Sequence, residues 1–249
     1  ARVAGRTAQP YQRDHRIHLT PGYSSANIRV IRVSIDSPVV EETNAFQFTS
    51  FQEVIDCLSV VEAPAEPLPS KRAAVAISLR SGVSGPEILM IQRAVREGDP
   101  WSGHMGFPGG RKDATDVTDV DCAKRETREE ISFDLDTHGE LVCQLSDVNT
   151  GWRADRPEML VAPFIFKVDS TPSFELNHEV DDTLWVPLNF LLDDVNRGRH
   201  QWDWRGEVLE SDAFTYDGRL IWGLSLMMID ELLEIIGGRQ SASARVSRA

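Results

Sequence analysis

Cysteine is scarce and odd in number: Cys57, Cys122 and Cys143 are the three in 249 residues, and no CxxC spacing occurs. That pattern argues against a disulfide framework or a structural zinc site, and a reducing compartment is expected. Lysine is rarer than arginine, with Lys71, Lys112, Lys124 and Lys167 the only four; this is a composition bias without functional weight. No run of about 18 apolar residues is present, so no transmembrane helix is expected. Positive charge is in deficit as well: 26 Lys and Arg face 39 Asp and Glu, for a net charge of -13 and a pI near 4.9. A chain of that sign gains nothing from long-range attraction to nucleic acid or an anionic membrane, so neither is expected as a partner. Small phosphorylated ligands stay open, provided local cations or metal ions meet them. The first 32 residues reverse the balance, with six arginines and one acid, Asp14. That resembles an organelle transit peptide. A loose basic arm is the plainer reading, and a cytoplasmic protein is expected. A homodimer is compatible with the sequence, which does not specify the assembly.

What is present is enough for one substantial core, since 41% of the residues are hydrophobic. No internal repeat stands out. Residues 1 to about 27 look poorly ordered, and Asn27 to Ile35 alternates as a strand would. Phe51, Val54, Ile55, Leu58 and Val61 recur at helical spacing. Three prolines in Ala63 to Lys71 mark a linker. The expected organisation is an extension over 1–68, a main domain over 69–238 and a disordered tail over 239–249. Within the main domain, "AAVAISLR" and "EILMIQRA" flank a turn-rich "SGVSGP" and read as a hairpin. "DCAKRETREEI" (Asp121 to Ile131) reads as a helix, with Asp119 or Asp121 as its N-cap. "ELVCQLSDV" and "MLVAPFIFKV" read as strands, "HEVDDTLWVPLNFLL" as a strand and helix, and Arg219 to Ile236 as a terminal amphipathic helix. Strands interleaved with helices predict an α/β or α+β fold with a mixed sheet.

The chemistry concentrates in "RETREEISF". On a helix, Glu126 and Glu130 are one turn apart on the same side, with Glu129 beside them. Like charges so placed repel, more strongly when desolvated. A divalent cation would relieve this, and magnesium takes oxygen ligands, waters and phosphate oxygens together. Arg125 and Arg128 could neutralise the acids instead, as on an ordinary solvated helix face with Arg125 paired to Glu129. The preceding "FPGG" (Phe107 to Gly110) cannot be helix: Pro108 fixes the backbone, and the glycines permit a tight bend and close approach of a ligand. Such a bend can offer a carbonyl oxygen to the same cation.

Gly110 to Phe133 resembles the Nudix box, a glycine and an early acid followed by R-E-U-x-E-E-x-G-U, where U is bulky and apolar. Arg125-Glu126 match the first pair, Glu129-Glu130 the second, and Phe133 the last apolar position. The run from Gly110 to Arg125 is one residue longer than the pattern. Asp116 stands for the early glutamate, Thr127 for an apolar residue and Ser132 for glycine. The serine is expected to matter little, because serine also closes helices. The extra residue and the aspartate are similar to the coenzyme A pyrophosphatase branch, which also carries "FPGG". "LMIQRA" (Leu89 to Ala94) and "GHMGFPGG" partly match that branch's further motif, with Arg93 and Ala94 in place. The motif's middle arginine falls on Gly98, and Arg96 is its candidate replacement.

The resemblance implies an α/β/α sandwich and an enzyme that uses Mg2+ or Mn2+ to split the pyrophosphate of a nucleoside diphosphate conjugate, a small-molecule partner. It implies coenzyme A or a relative as substrate, with ADP-ribose or NADH as alternatives and a non-catalytic nucleotide-binding module as the contrasting class. It makes Glu126 and Glu130 the main metal ligands, Glu129 a further ligand or neighbour, Gly109 the carbonyl donor and Arg125 the anchor of Glu126. Glu179, ahead of Trp185-Val186-Pro187, is implied as a fourth acid, a ligand or general base; Asp181 and Asp182 are weaker choices. Arg93, Trp152 and Arg153 are the expected substrate contacts, Trp152 by stacking on a base and Arg153 or Arg156 by pairing with phosphate. His104 reads as a loop residue, and Trp202 and Trp204 as packing for an insertion.

Overall fold

Alternation along three strands turns one sheet apolar on both faces. In β1 (Lys71–Gly82), Ala73, Ile77 and Leu79 join one core cluster, and Ala74 and Ala76 join another. In β2 (Gly85–Arg93), Ile88 and Met90 face the first cluster, and Leu89 and Ile91 face the second. In β7 (Met159–Val168), Val161 and Ile165 oppose Ala162, Phe164, Phe166 and Val168. Such a sheet must be covered on both sides. Helix α2 (Asp119–Ile131) covers one face through Cys122, Ala123 and Ile131. Helices α1 (Phe51–Ser59), α4 (Leu188–Leu192) and α5 (Gly223–Gly237) cover the other, with Val54, Leu58, Leu191, Leu226, Ile229 and Leu232 among the buried side chains. The result is the expected α/β/α sandwich. The structure, a computed structural model, describes residues 50–62, 64, 71–96, 102–150, 159–170, 173–204, 206–237 and 247–248. These fall within one unit spanning Thr43–Ala249. The strand expected over 27–35 and the arm before it lie outside the described residues.

The sheet is mixed. β1 runs parallel to β7 and antiparallel to β2. β5 (Gly139–Gln144) and the short β6 (Val148–Asn149) pair with β7, and β8 (Val180–Pro187) pairs with β2. β1 and β2 are joined only at their hairpin end, Leu79↔Ile88 to Gly82↔Gly85, and then part. The segment 105–111 fills the gap: β3 (Met105–Gly106) pairs with β2, and β4 (Gly109–Arg111) pairs with β1. The "FPGG" bend is thereby wedged between two diverging strands.

Helix α2 starts two residues earlier than its apolar pattern indicates. Its N-cap is Thr118 rather than Asp119 or Asp121: the Thr118 hydroxyl accepts from the Asp121 amide at 3.2 Å, and the Asp121 carboxylate accepts from the Thr118 amide at 2.8 Å. This reciprocal capping box satisfies two otherwise unpaired donors. The helix ends on Ser132, which is left-handed at φ 55, ψ 32. Serine closes the helix as expected, in a region where a Cβ is strained and glycine is not. Ser132 is exposed, so Ser132→Gly is expected to stabilise the protein by about 1 kcal/mol. A thermal melt showing a Tm unchanged or lowered would contradict this.

The C-terminal segment differs from the sequence reading. Arg219–Ile221 is a strand, β11, paired with β10 (Glu207–Tyr216), and α5 begins only at Gly223, whose φ of +63 breaks the run. β10 pairs along its length with β9 (Arg197–Trp204), a hairpin that hydrophobic periodicity does not reveal. Ser247–Arg248 (β12), within the expected tail, also pairs with β10. A short helix, α3 (Leu135–His138), leads from α2 into β5.

Candidate active site

The wedge fixes the bend. Lys112 N–H donates to Arg72 O at 3.0 Å and Ala76 N–H to Pro108 O at 2.8 Å, so the ladder passes on either side of Gly109. Alternation then leaves the Gly109 N–H and C=O on the edge away from β1. The N–H donates to Glu130 Oε2 at 2.9 Å. Gly109 has φ +153, and a Cβ there would sit 2.3 Å from Ala74 O. A Cβ on Gly110 would meet the Glu126 carboxyl carbon at 2.5 Å. The first contact presses the bend against β1, and the second brings the Glu126 carboxylate of α2 against it.

Glu126 and Glu130 therefore meet where the helix meets the bend, as their spacing requires. Glu130 is 2% exposed. Burial pushes its carboxyl up to about 7; the Gly109 N–H and the Arg93 charge oppose this, and Glu126 and Glu179 reinforce it. Burial also raises Glu126, against the pull of Arg125. Glu129 stands apart: its side chain is 55% exposed and meets Arg125 Nη1 at 3.0 Å, the intrahelical ion pair of an ordinary helix face.

Arg125 is the hub. Its Nε and Nη2 donate to the two oxygens of Asp116 at 2.9 Å each, its Nη1 to Glu126 Oε1 at 2.9 Å, and its Nη2 to Arg111 O at 3.1 Å. The Arg125 guanidinium holds Asp116 down to about 2 despite burial. The aspartate in place of the early glutamate thus grips the arginine that grips Glu126. Cys122 lies beside this group with its Sγ 3.5 Å from Gly110 O, and burial pushes its thiol up to about 12. It packs and carries no thiolate chemistry.

The fourth acid comes from the opposite direction. Glu179 acts electrostatically on both Glu126 and Glu130 and accepts from Arg96 Nη1 at 3.2 Å. Asp182 is engaged instead by Arg219, and Asp181 is exposed. Asn177, which nothing in the sequence reading singled out, organises this loop: its backbone N–H donates to Glu130 O at 2.9 Å, and its side-chain Oδ1 accepts from the Glu179 backbone N–H at 2.7 Å. An asparagine two residues before an acid is a turn signal, the only trace available beforehand. Arg93 ends β2 near enough to Glu130 to lower its pKa. Trp152, Arg153 and Arg156 lie outside the described residues.

Among the described residues, no three His, Cys, Asp or Glu side chains already converge as a metal cage. Magnesium does not require one. It keeps several waters and is held by one or two carboxylates plus substrate phosphates. Two carboxylates beside the Gly109 edge match that donor set.

This chain belongs to the Nudix family: the family model described as NUDIX domain matches residues 69–204. A second model, described as the FNIII-A domain of tip attachment protein J, matches residues 1–57. Among curated relatives, an uncharacterized protein of Schizosaccharomyces pombe is 40% identical over 113 residues, which cover 44% of this chain and 34% of that one. Nudix hydrolase 22, chloroplastic, of Arabidopsis thaliana is 27% identical over 69% of this chain and 57% of its own length. The mitochondrial coenzyme A diphosphatase NUDT8 of Homo sapiens is 28% identical over 66% of this chain and 69% of its own. The chain spans about a third to just over half of the first two relatives.

Proposed function

We propose that the protein is a Mg2+- or Mn2+-dependent pyrophosphohydrolase that splits the diphosphate of coenzyme A or a related nucleoside diphosphate conjugate. The observation that carries this is the 2.9 Å bond from the Gly109 N–H to Glu130 Oε2, which joins the bend to a helix bearing Glu126 one turn away. Glu126, Glu130 and the Gly109 carbonyl would hold the divalent ion, with Glu129 at its periphery. A bound ion screens substrate charge, polarises phosphoryl oxygens and acidifies water. The chain's own part is positional. Arg125 keeps Glu126 aimed at the bend, Arg93 offers a cation to a phosphate, and Glu179 accepts the proton of the attacking water or joins the ion's ligands. Water oxygen bonds to one phosphorus, the bridging P–O bond breaks, and two phosphate monoesters leave. An acidic protein needs cationic intermediaries for such a substrate.

The coenzyme A preference is supported by the "LMIQRA" and "FPGG" motifs and by the likeness to the human coenzyme A diphosphatase. A silent binding module is disfavoured because the chain retains every acid of its R-E-x-x-E-E segment. Purified protein with Mg2+ is expected to turn over coenzyme A or an acyl-coenzyme A faster than ADP-ribose or NADH, releasing a 3′,5′-phosphorylated adenosine product detectable by chromatography. Equal rates on all four would remove the preference, and no turnover of any would favour the binding module.

A further inference from the structure

Four rings gather where the chain enters the bend. Trp222, just ahead of α5, has its centroid 4.7 Å from Trp202, 4.7 Å from His200 and 5.2 Å from His104. His200 and Trp202 are two residues apart on β9, share one face of the hairpin and stack at an interplanar angle of 11°. All four rings are only partly buried. Directly across from His200 in the hairpin register is Ser211, which is 4% exposed and whose hydroxyl has no hydrogen-bond partner. An unsatisfied buried hydroxyl is costly and asks for a reason. Packing of the rings against one another does not account for it.

Backbone contacts tie this group to the candidate active site. Arg93 N–H donates to His104 O at 3.0 Å, and Gly103 N–H donates to Arg93 O at 3.1 Å. Ser225 Oγ donates to Met105 O at 3.3 Å. Arg93 is the cation felt by Glu130. Gly109 follows His104 by five positions, so their Cα atoms are at most about 17 Å apart, within reach of an extended nucleotide.

We propose that His104, His200, Trp202 and Trp222 form the seat of the substrate's nucleobase, which stacks against this ring cluster while its diphosphate lies toward Glu126 and Glu130. The proposal rests on the hydrolase reading only for the diphosphate; the seat itself is for a flat heterocycle. Burial lowers the pKa of His200, so its ring is neutral at pH 7 and recognition is by stacking rather than by charge. Every base presents a π face, and such stacking is worth about 1–3 kcal/mol per base.

The test is calorimetric titration of the full chain, without metal, using AMP and ribose 5-phosphate as probes. Trp222→Leu is expected to weaken AMP binding about tenfold or more and to leave ribose 5-phosphate binding unchanged. His104→Leu should show a smaller loss in the same direction, and Trp222→Phe, which keeps a ring, should retain most of the affinity. Equal affinity of the wild type for the two probes would overturn the seat. So would undiminished AMP affinity in Trp222→Leu and His104→Leu. Should Trp222→Leu fail to fold, His104→Leu and Trp222→Phe carry the comparison. Because no hydrolysis enters this measurement, a failed turnover assay with base-dependent binding intact would overturn the hydrolase reading alone.

Discussion

Glu130→Gln is expected to remove metal-dependent hydrolysis and, in metal-free buffer above pH 7, to make the protein more stable. The two effects have one cause. Glu130 is held almost wholly out of water, with its carboxyl pushed up to about 7 from an ordinary value of 4.5. The unfolded chain ionises the group near 4.5, and the folded chain does so only near 7. Between those values folding takes up a proton, so stability falls as pH rises through the interval. Above about pH 7 the whole penalty is present, on the order of 3 kcal/mol. Below 4.5 it vanishes. Glutamine keeps an oxygen for the Gly109 N–H and carries no charge. Its melting temperature at pH 8 should exceed that of the wild type by roughly 5–10 °C, with no gain at pH 4. Turnover should drop by at least about a hundredfold, since ligands and their supporting contacts each matter at that scale. Calorimetry at the two pH values, with product release measured in parallel, checks both halves. Full activity in the variant would end the metal assignment.

Arg125→Met is expected to be the most damaging substitution near the site. Asp116, whose side chain is 3% exposed, would lose its cation, and breaking a buried pair from one side costs about 3–5 kcal/mol. The Arg111 carbonyl would lose a donor, and Glu126 its anchor. A Tm lower by about 10 °C is expected, with reduced kcat. The low pKa of Asp116 gives the sign with pH: its stabilisation is full above 3.8 and is lost as pH falls toward 2. The wild-type advantage over the variant should therefore shrink in acid. Adding Asp116→Asn to Arg125→Met should restore much of the stability and little of the activity, because the orphaned charge is gone and Glu126 is still loose. Simple additivity of the two single changes would show that the pair is not coupled.

Much of this could be read before any coordinates, and the limits have physical causes. β1, β2 and β7 were legible because continuous apolar runs bury both faces of the sheet. Glu126 and Glu130 were legible as neighbours because helical spacing puts them together. Their union with Gly109 depended on a wedge between β1 and β2, a long-range arrangement that local patterns do not encode. The β9–β10 hairpin escaped because Arg197, Arg199, Asp203, Glu207, Glu210 and Asp212 break up its apolar residues. It is held from outside by a partner distant in sequence, Asp230 of α5, which Arg197 meets at 2.7 Å. α5 was drawn too long because Leu220 to Leu224 is apolar throughout, and periodicity alone cannot separate a buried strand from a helix in so short a run. Asn177 was invisible because its work is done through the backbone of Glu130.

Met105 to Arg111 is stitched to β2 at one end and to β1 at the other. Five residues of register would have to be undone before those strands could draw together or spread. The place of the bend is therefore set when the chain folds, and the carboxylates of α2 meet a frame already built.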